Sequence, residues 1–134
     1  MKKSLIIFVF LGVFITKKSN AQTILSFYNN TDKTIYSAYA AYMGNVRGWE
    51  SVGWYKIAPY QEVTVDLGDY HGSAYIHGHF ENNAKASNWG HGHTFVIQEH
   101  IKFRIRNSDL VNGSRADFSE LKVTTGKNSF TFNP

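Results

Sequence analysis

The chain has 134 residues and no cysteine, and its formal net charge of +4 comes from fourteen Lys+Arg against ten Asp+Glu. Disulfides, thiol nucleophiles and thiolate metal ligands are therefore excluded. Stability must come from apolar burial, for which ten Phe, eight Tyr and three Trp supply area, and the length suits one domain.

Met1-Lys2-Lys3 precede an apolar run from Leu5 to Ile15, and Ser19-Asn20-Ala21 follow it. A basic start, an apolar stretch too short to span a bilayer and small residues at its end describe a secretory signal peptide over residues 1–21. Cleavage is expected after Ala21, with residues 22–134 as a single domain. Lys17 and Lys18 lie between the apolar run and that site, which leaves an uncleaved N-terminal membrane anchor as the alternative. A lipoprotein anchor has no cysteine to acylate. The expected destination is outside the inner membrane, periplasmic or extracellular. Lys2, Lys3, Lys17 and Lys18 supply the whole charge excess, so ten basic and ten acidic residues follow Ala21. The basic footprint of a nucleic-acid or anionic-lipid binder is absent, and the mature chain holds no transmembrane span.

After the leader, β-rich runs alternate with turn residues. Thr23–Tyr28 leads into Asn29-Asn30-Thr31-Asp32, and Lys33–Tyr42 into Gly44-Asn45. Within the latter run Tyr36, Tyr39 and Tyr42 are spaced three apart, but the run is short and starts β-branched, which favours a strand. Trp49–Ile57 ends at the Pro59-Tyr60 turn. Val63, Val65 and Leu67 then face one way before Gly68-Asp69. Ser73–Phe80 and Thr94–Gln98 follow. Ile101, Phe103 and Ile105 oppose Lys102, Arg104 and Arg106, ahead of Asn112-Gly113. Leu121 and Val123 oppose Lys122; beyond Gly126-Lys127-Asn128, Phe130 and Phe132 oppose Thr131. Period-2 alternation marks half-buried strands, and turns at this spacing predict an all-β fold: a single antiparallel β-sandwich of about eight or nine short strands.

The stretch Asn29–Pro59 combines an Asn-x-Thr turn, a strand, and Gly-Trp-x-Ser-x-Gly-Trp-aromatic-x-Ile-x-Pro. It resembles the start of the bacterial "domain of unknown function 1036" family. The resemblance spans about Phe27 to Ile97, is most specific over Trp49–Pro59, and continues in "SAYIHGHFE" and "WGHGHTFVI". It implies a small exported or envelope β-rich domain of unestablished biochemical role. Family members often carry cysteines where this chain has Phe27-Tyr28-Asn29, Tyr60-Gln61-Glu62 and Phe95-Val96-Ile97. The His-Gly-His triplets lie outside the family pattern.

Those triplets, His77-Gly78-His79 and His91-Gly92-His93, hold four of the six histidines. Residues i and i+2 of a strand share a face about 6.5 to 7 Å apart, so each pair could offer two imidazoles to Zn²⁺ or Cu²⁺, with Asp, Glu or water completing the shell. A symmetric hairpin would oppose His77 to His93 and His79 to His91. The apolar pattern disagrees: Ala74, Ile76 and Phe80 turn His77 and His79 outward, whereas His93 goes inward with Phe95 and Ile97. A one-residue slip or a bulge reconciles the two arms but parts the pairs. The plainer reading places the histidines on polar faces and a loop mouth.

Trp49, Trp54 and Tyr55 are candidate ligand-binding residues, an aromatic platform for carbohydrate or peptide, with Tyr39, Tyr42, Tyr60, Tyr70 and Trp89 as additions. Strict alternation turns Trp49 and Trp54 to opposite faces and aligns Tyr55 with Trp49. Catalysis has weaker support: Ser, His and Asp all occur, but no Gly-x-Ser-x-Gly elbow and no Cys nucleophile is present, and Asp66 and Asp69 read as a turn. The sequons at Asn29 and Asn112 read as turns too. The expected function is thus a non-enzymatic binding or structural module of the envelope requiring no cofactor, its partner a carbohydrate, a peptide or an envelope protein. The alternative is a Zn- or Cu-binding protein, or a metal-dependent enzyme, that uses the His-Gly-His pairs.

Overall fold

The computed structural model describes residues 22–44, 48–80, 88–107 and 114–134. The expected signal peptide and the turns at Asn45 and Asn112-Gly113 lie outside the described residues. Among these described residues nine strands run in chain order: β1 (Thr23–Asn29), β2 (Ile35–Tyr42), β3 (Trp49–Ile57), β4 (Glu62–Asp66), β5 (Gly72–Phe80), β6 (His93–Ile97), β7 (Phe103–Arg106), β8 (Ser114–Val123) and β9 (Gly126–Phe132). Each matches one of the runs read from the sequence. β8 starts six residues before the alternation at Glu120, and β7 starts after Ile101, which is 64% exposed rather than inward-facing.

The strands form a sandwich-like pair of sheets: three strands in the order β4-β1-β9, and six in the order β6-β8-β5-β2-β3-β7. Pairing is antiparallel except between β1 and β9, which run parallel with Phe27 beside Phe130. The first and last strands of the domain thus meet, and no hairpin can join such a pair. Between the sheets lie Leu25, Phe27, Ile35, Tyr39, Val52, Ile57, Ile76 and Phe132, all buried.

A second core occupies the opposite face of the six-stranded sheet, where Ala38, Ala40, Trp54, Val96, Ile97, Phe103, Ile105, Ala116 and Phe118 pack together. Among the described residues no third sheet covers it. The sheet instead curls until its edge strand β6 touches β3 and β7. The Trp54 indole N–H donates to the Gln98 carbonyl at 2.7 Å, and the Val96 N–H donates to Asn107 Oδ1 at 3.0 Å. These bonds tie one edge to the other. β8 makes the curl possible by changing partner midway: Ser119–Val123 pair with β5, whereas Ser114–Phe118 pair with β6.

At the Asn29 turn, the buried Asn29 amide donates to the carbonyls of Lys33 and Ile57, and its oxygen accepts from Thr31. This accounts for Asn-x-Thr as a turn anchor. Asp66 Oδ1 likewise accepts from the Gly68 N–H at 2.8 Å, as expected of a turn carboxylate.

Candidate functional site

Two features of β3 and β5 decide what the curled face can do. The first is a bulge in β3. Ala38 pairs with Gly53 but Ser37 pairs with Tyr55, so Trp54 is the extra residue. Alternation breaks there. Trp49 and Trp54 therefore share the curled face, and Tyr55 turns to the sandwich core beside Phe27 and Tyr39. This reverses both facings expected from strict alternation.

The second is that β5 lies mid-sheet with both faces covered. Its Ala74 and Ile76 enter the sandwich core as expected, but His77 and His79 are not outward: they enter the second core, 0% and 4% exposed. Gly78 separates them because its other side lies against Phe132, whose ring carbon would be 2.5 Å from any Cβ placed there. In the second triplet His91 and His93 are exposed, and Gly92 has φ +94°, a turn conformation with open space around it. The two triplets thus share a spelling and have different physical origins.

The symmetric hairpin does not form. β8 separates β5 from β6, with His93 opposite Phe118. Among the described residues the backbones of the two arms pair in one bridge, Gly78 with Trp89, three residues from the symmetric register and not one. The four imidazoles are not gathered, and no cluster of three or more His, Asp or Glu suited to a metal occurs among the described residues.

The buried pair has a defined proton order. His77 Nδ1 lies 3.0 Å from the Asp117 carbonyl, which can only accept, so His77 donates there and keeps its lone pair on Nε2. His79 Nδ1, 3.1 Å away, must then donate to that lone pair. Every buried side-chain nitrogen or oxygen among the described residues has a partner; the second His79 nitrogen, with none, accordingly reaches solvent. Burial lowers the pKa of both rings, that of His79 to about 4 with help from neighbouring His77; the carbonyl and charge of Asp117 partly oppose the shift at His77. The Trp54 ring stands edge-on to His79 with centroids 4.6 Å apart, Tyr36 stacks on His79 at 5.8 Å, and Phe118 is 5.3 Å from His77.

Towards the other end of the same face the rings come to the surface. Trp49 meets Tyr42 at 5.7 Å, Tyr75 at 5.4 Å and Phe95 at 6.0 Å; Tyr75 meets Phe95 at 5.1 Å and His93 at 4.6 Å. Trp49, Tyr75 and Phe95 are half-buried, while Tyr42 and His93 are exposed. A polar rim adjoins them. Glu120 is the cross-strand partner of Tyr75, Lys122 that of Ser73, and the Glu120 carboxylate accepts from the Ser73 hydroxyl. That hydrogen bond, with Lys122 and His93 nearby, lowers the Glu120 pKa.

Of the residues singled out in the sequence, Trp49 and Tyr42 belong to this platform. Trp54 lies in the core beneath, Tyr55, Tyr39 and Tyr70 pack on the sandwich side, and Trp89 packs against Phe80 and Phe132. Tyr60 stands alone, 57% exposed. Tyr75, Phe95 and Glu120 were not singled out. Their signal was present: in Ser73–Phe80, Tyr75 occupies the face opposite Ala74 and Ile76, a large ring where an outward strand face needs none.

On the sandwich side, Arg104 pairs with the buried Glu50 at 2.9 Å and bonds Tyr39, which in turn bonds Tyr55. Burial is the main cause that raises the Tyr55 pKa to about 12. Every member of this chain is engaged by another, so it cross-braces β2, β3 and β7. No protein-family model matches the chain, and no curated protein matches it.

Proposed function

We propose that this protein is an exported, non-enzymatic binding module that takes a saccharide on the Tyr42–Trp49–Tyr75–Phe95 platform. The observation that carries the reading is the contiguity of these rings at the surface with Ser73, Glu120 and His93 beside them. Pyranose rings offer a flat C–H face that packs on indole and phenol rings, and hydroxyls at their edge that a carboxylate, a hydroxyl and an imidazole can bond. A few placed polar groups beside aromatic surface are what a small-ligand site requires. The leader-like residues 1–21 support export, and the likeness of Asn29–Pro59 to the "domain of unknown function 1036" family supports an envelope setting. Among the described residues no helix is long and apolar enough to cross a membrane.

The test is a glycan-array screen followed by titration of the hit, monitored by tryptophan emission. Trp49→Ala and Tyr75→Ala are each expected to weaken binding at least tenfold, about 1.4 kcal/mol. Tyr60→Ala, away from the platform, leaves it unchanged. Absence of any glycan ligand, binding of aromatic peptides alone, or indifference to Trp49→Ala would overturn the proposal.

A further inference from the structure

The geometry points to a second site, independent of the platform: His77 and His79 as a two-coordinate seat for a monovalent soft cation, Cu⁺ or its analogue Ag⁺. Both rings project from one face of β5, and His77 Nε2 faces His79 Nδ1 at 3.1 Å. The His77 Nδ1–H bond to the Asp117 carbonyl holds that ring with its lone pair directed at His79. This outer bond is the one metal-ligating histidines ordinarily make, and it fixes both tautomer and orientation.

The surroundings select the ion. Zn²⁺ needs four donors, and no third His, Asp or Glu joins this pair among the described residues. The rings that wall the pair, Trp54, Tyr36 and Phe118, are uncharged, and the one carboxylate whose charge acts on His77, that of Asp117, is at most half of what a double charge requires. A d¹⁰ monovalent ion is satisfied by two nitrogens in line. Taking metal–imidazole bonds of about 2.0 Å, a linear pair spans about 4 Å, so the rings must part by less than about 1 Å. The Trp54 ring, with its centroid 4.6 Å from that of His79 and 5.4 Å from that of His77, closes the site with apolar surface.

Protons balance without release to solvent. In the metal-free protein one proton, on His79 Nδ1, lies between the two nitrogens. When the cation takes that place, the proton moves to the solvent-reaching His79 Nε2; both rings stay neutral and the cation adds one charge.

Silver nitrate titrated into the purified protein in chloride-free buffer tests this. One equivalent is expected to shift the side-chain ¹⁵N resonances of His77 and His79 together, and His77→Gln and His79→Gln to weaken binding at least tenfold each. His91→Gln and His93→Gln leave it unchanged. If either substitution prevents folding, the ring resonances of the unmodified protein still decide. The proposal is overturned if one equivalent of Ag⁺ leaves both rings unshifted, if affinity follows His91 and His93, or if Zn²⁺ binds the pair as tightly as Ag⁺.

Discussion

On one face of the six-stranded sheet, Phe27, Ile35 and Phe132 lie between two sheets; on the other, Trp54, Phe103 and Phe118 are covered, among the described residues, by the sheet's own curl. The sandwich core is aliphatic and phenylalanine-rich, and the Glu50–Arg104–Tyr39–Tyr55 chain braces its side. The curled core encloses two imidazoles and grades from buried rings at Trp54 to half-exposed rings at Trp49 and Tyr75. A core closed by a second sheet is sealed along its length. One closed by curling is sealed where the edges meet, through Trp54 to Gln98 and Asn107 to Val96, and opens beyond them. That difference is why the candidate ligand surface and the titrating pair both belong to the curled face.

Substitutions can break this comparison, the largest effect first. Phe132→Ala removes a fully buried ring that touches Phe27, Trp89 and Phe130. It should cost about 3 to 5 kcal/mol in urea unfolding. Gly78→Ala places a methyl against the same ring and should cost about 1 to 3 kcal/mol. A near-neutral result would show that β5 and β9 are less tightly apposed than 2.5 Å implies.

The curled core should be the acid-sensitive one. In the folded protein the His79 pKa is lowered from near 6.5 to about 4, and that of His77 is also lowered. The unfolded chain therefore takes up protons first. These histidines cost nothing above pH 6.5; the contribution of His79 is lost as pH falls from about 6.5 to about 4, and that of His77 is lost in the same direction. Urea midpoints measured across this window should fall, and His79→Phe should flatten that fall. An unchanged slope in the variant would place the acid sensitivity elsewhere. The smallest effect belongs to neither core. Tyr60, exposed at φ +58°, should gain about 0.5 kcal/mol as Tyr60→Gly, seen as a slightly raised midpoint.

How far the site was legible follows from what alternation can report. The nine runs were readable, as were the turns at Asn30-Thr31-Asp32, Pro59-Tyr60 and Gly68-Asp69, because period-2 patterning and Gly, Pro and Asn chemistry are local; the turn expected at Gly126-Lys127-Asn128 is instead the start of β9, and the chain turns just before it, at Thr124-Thr125. The buried faces of β4 and β9, each packed on one side only, were readable too. On β5 the same rule failed: His77 and His79 were turned outward because Ala74 and Ile76 faced in, and a central strand covered on both sides has no outward face. On β3 a single extra residue, Trp54, inverted the facing of everything after it, and no local signal distinguishes a bulged Gly-Trp from a regular one. The hairpin symmetry of the histidines was a numerical coincidence, since β8 separates the arms.

By itself, the sequence determined the all-β class, the strand count and the reliance on aromatic burial without disulfides, because these depend on composition and short-range period. Only the tertiary structure decided which strands pair, that β1 and β9 run parallel, and that one sheet curls to bury His77 and His79 while bringing Trp49 beside Tyr75 and Phe95. Those outcomes depend on contacts between residues far apart in the chain. Such contacts form only when edges and faces of whole sheets find their cover, and no window of a few residues carries that information.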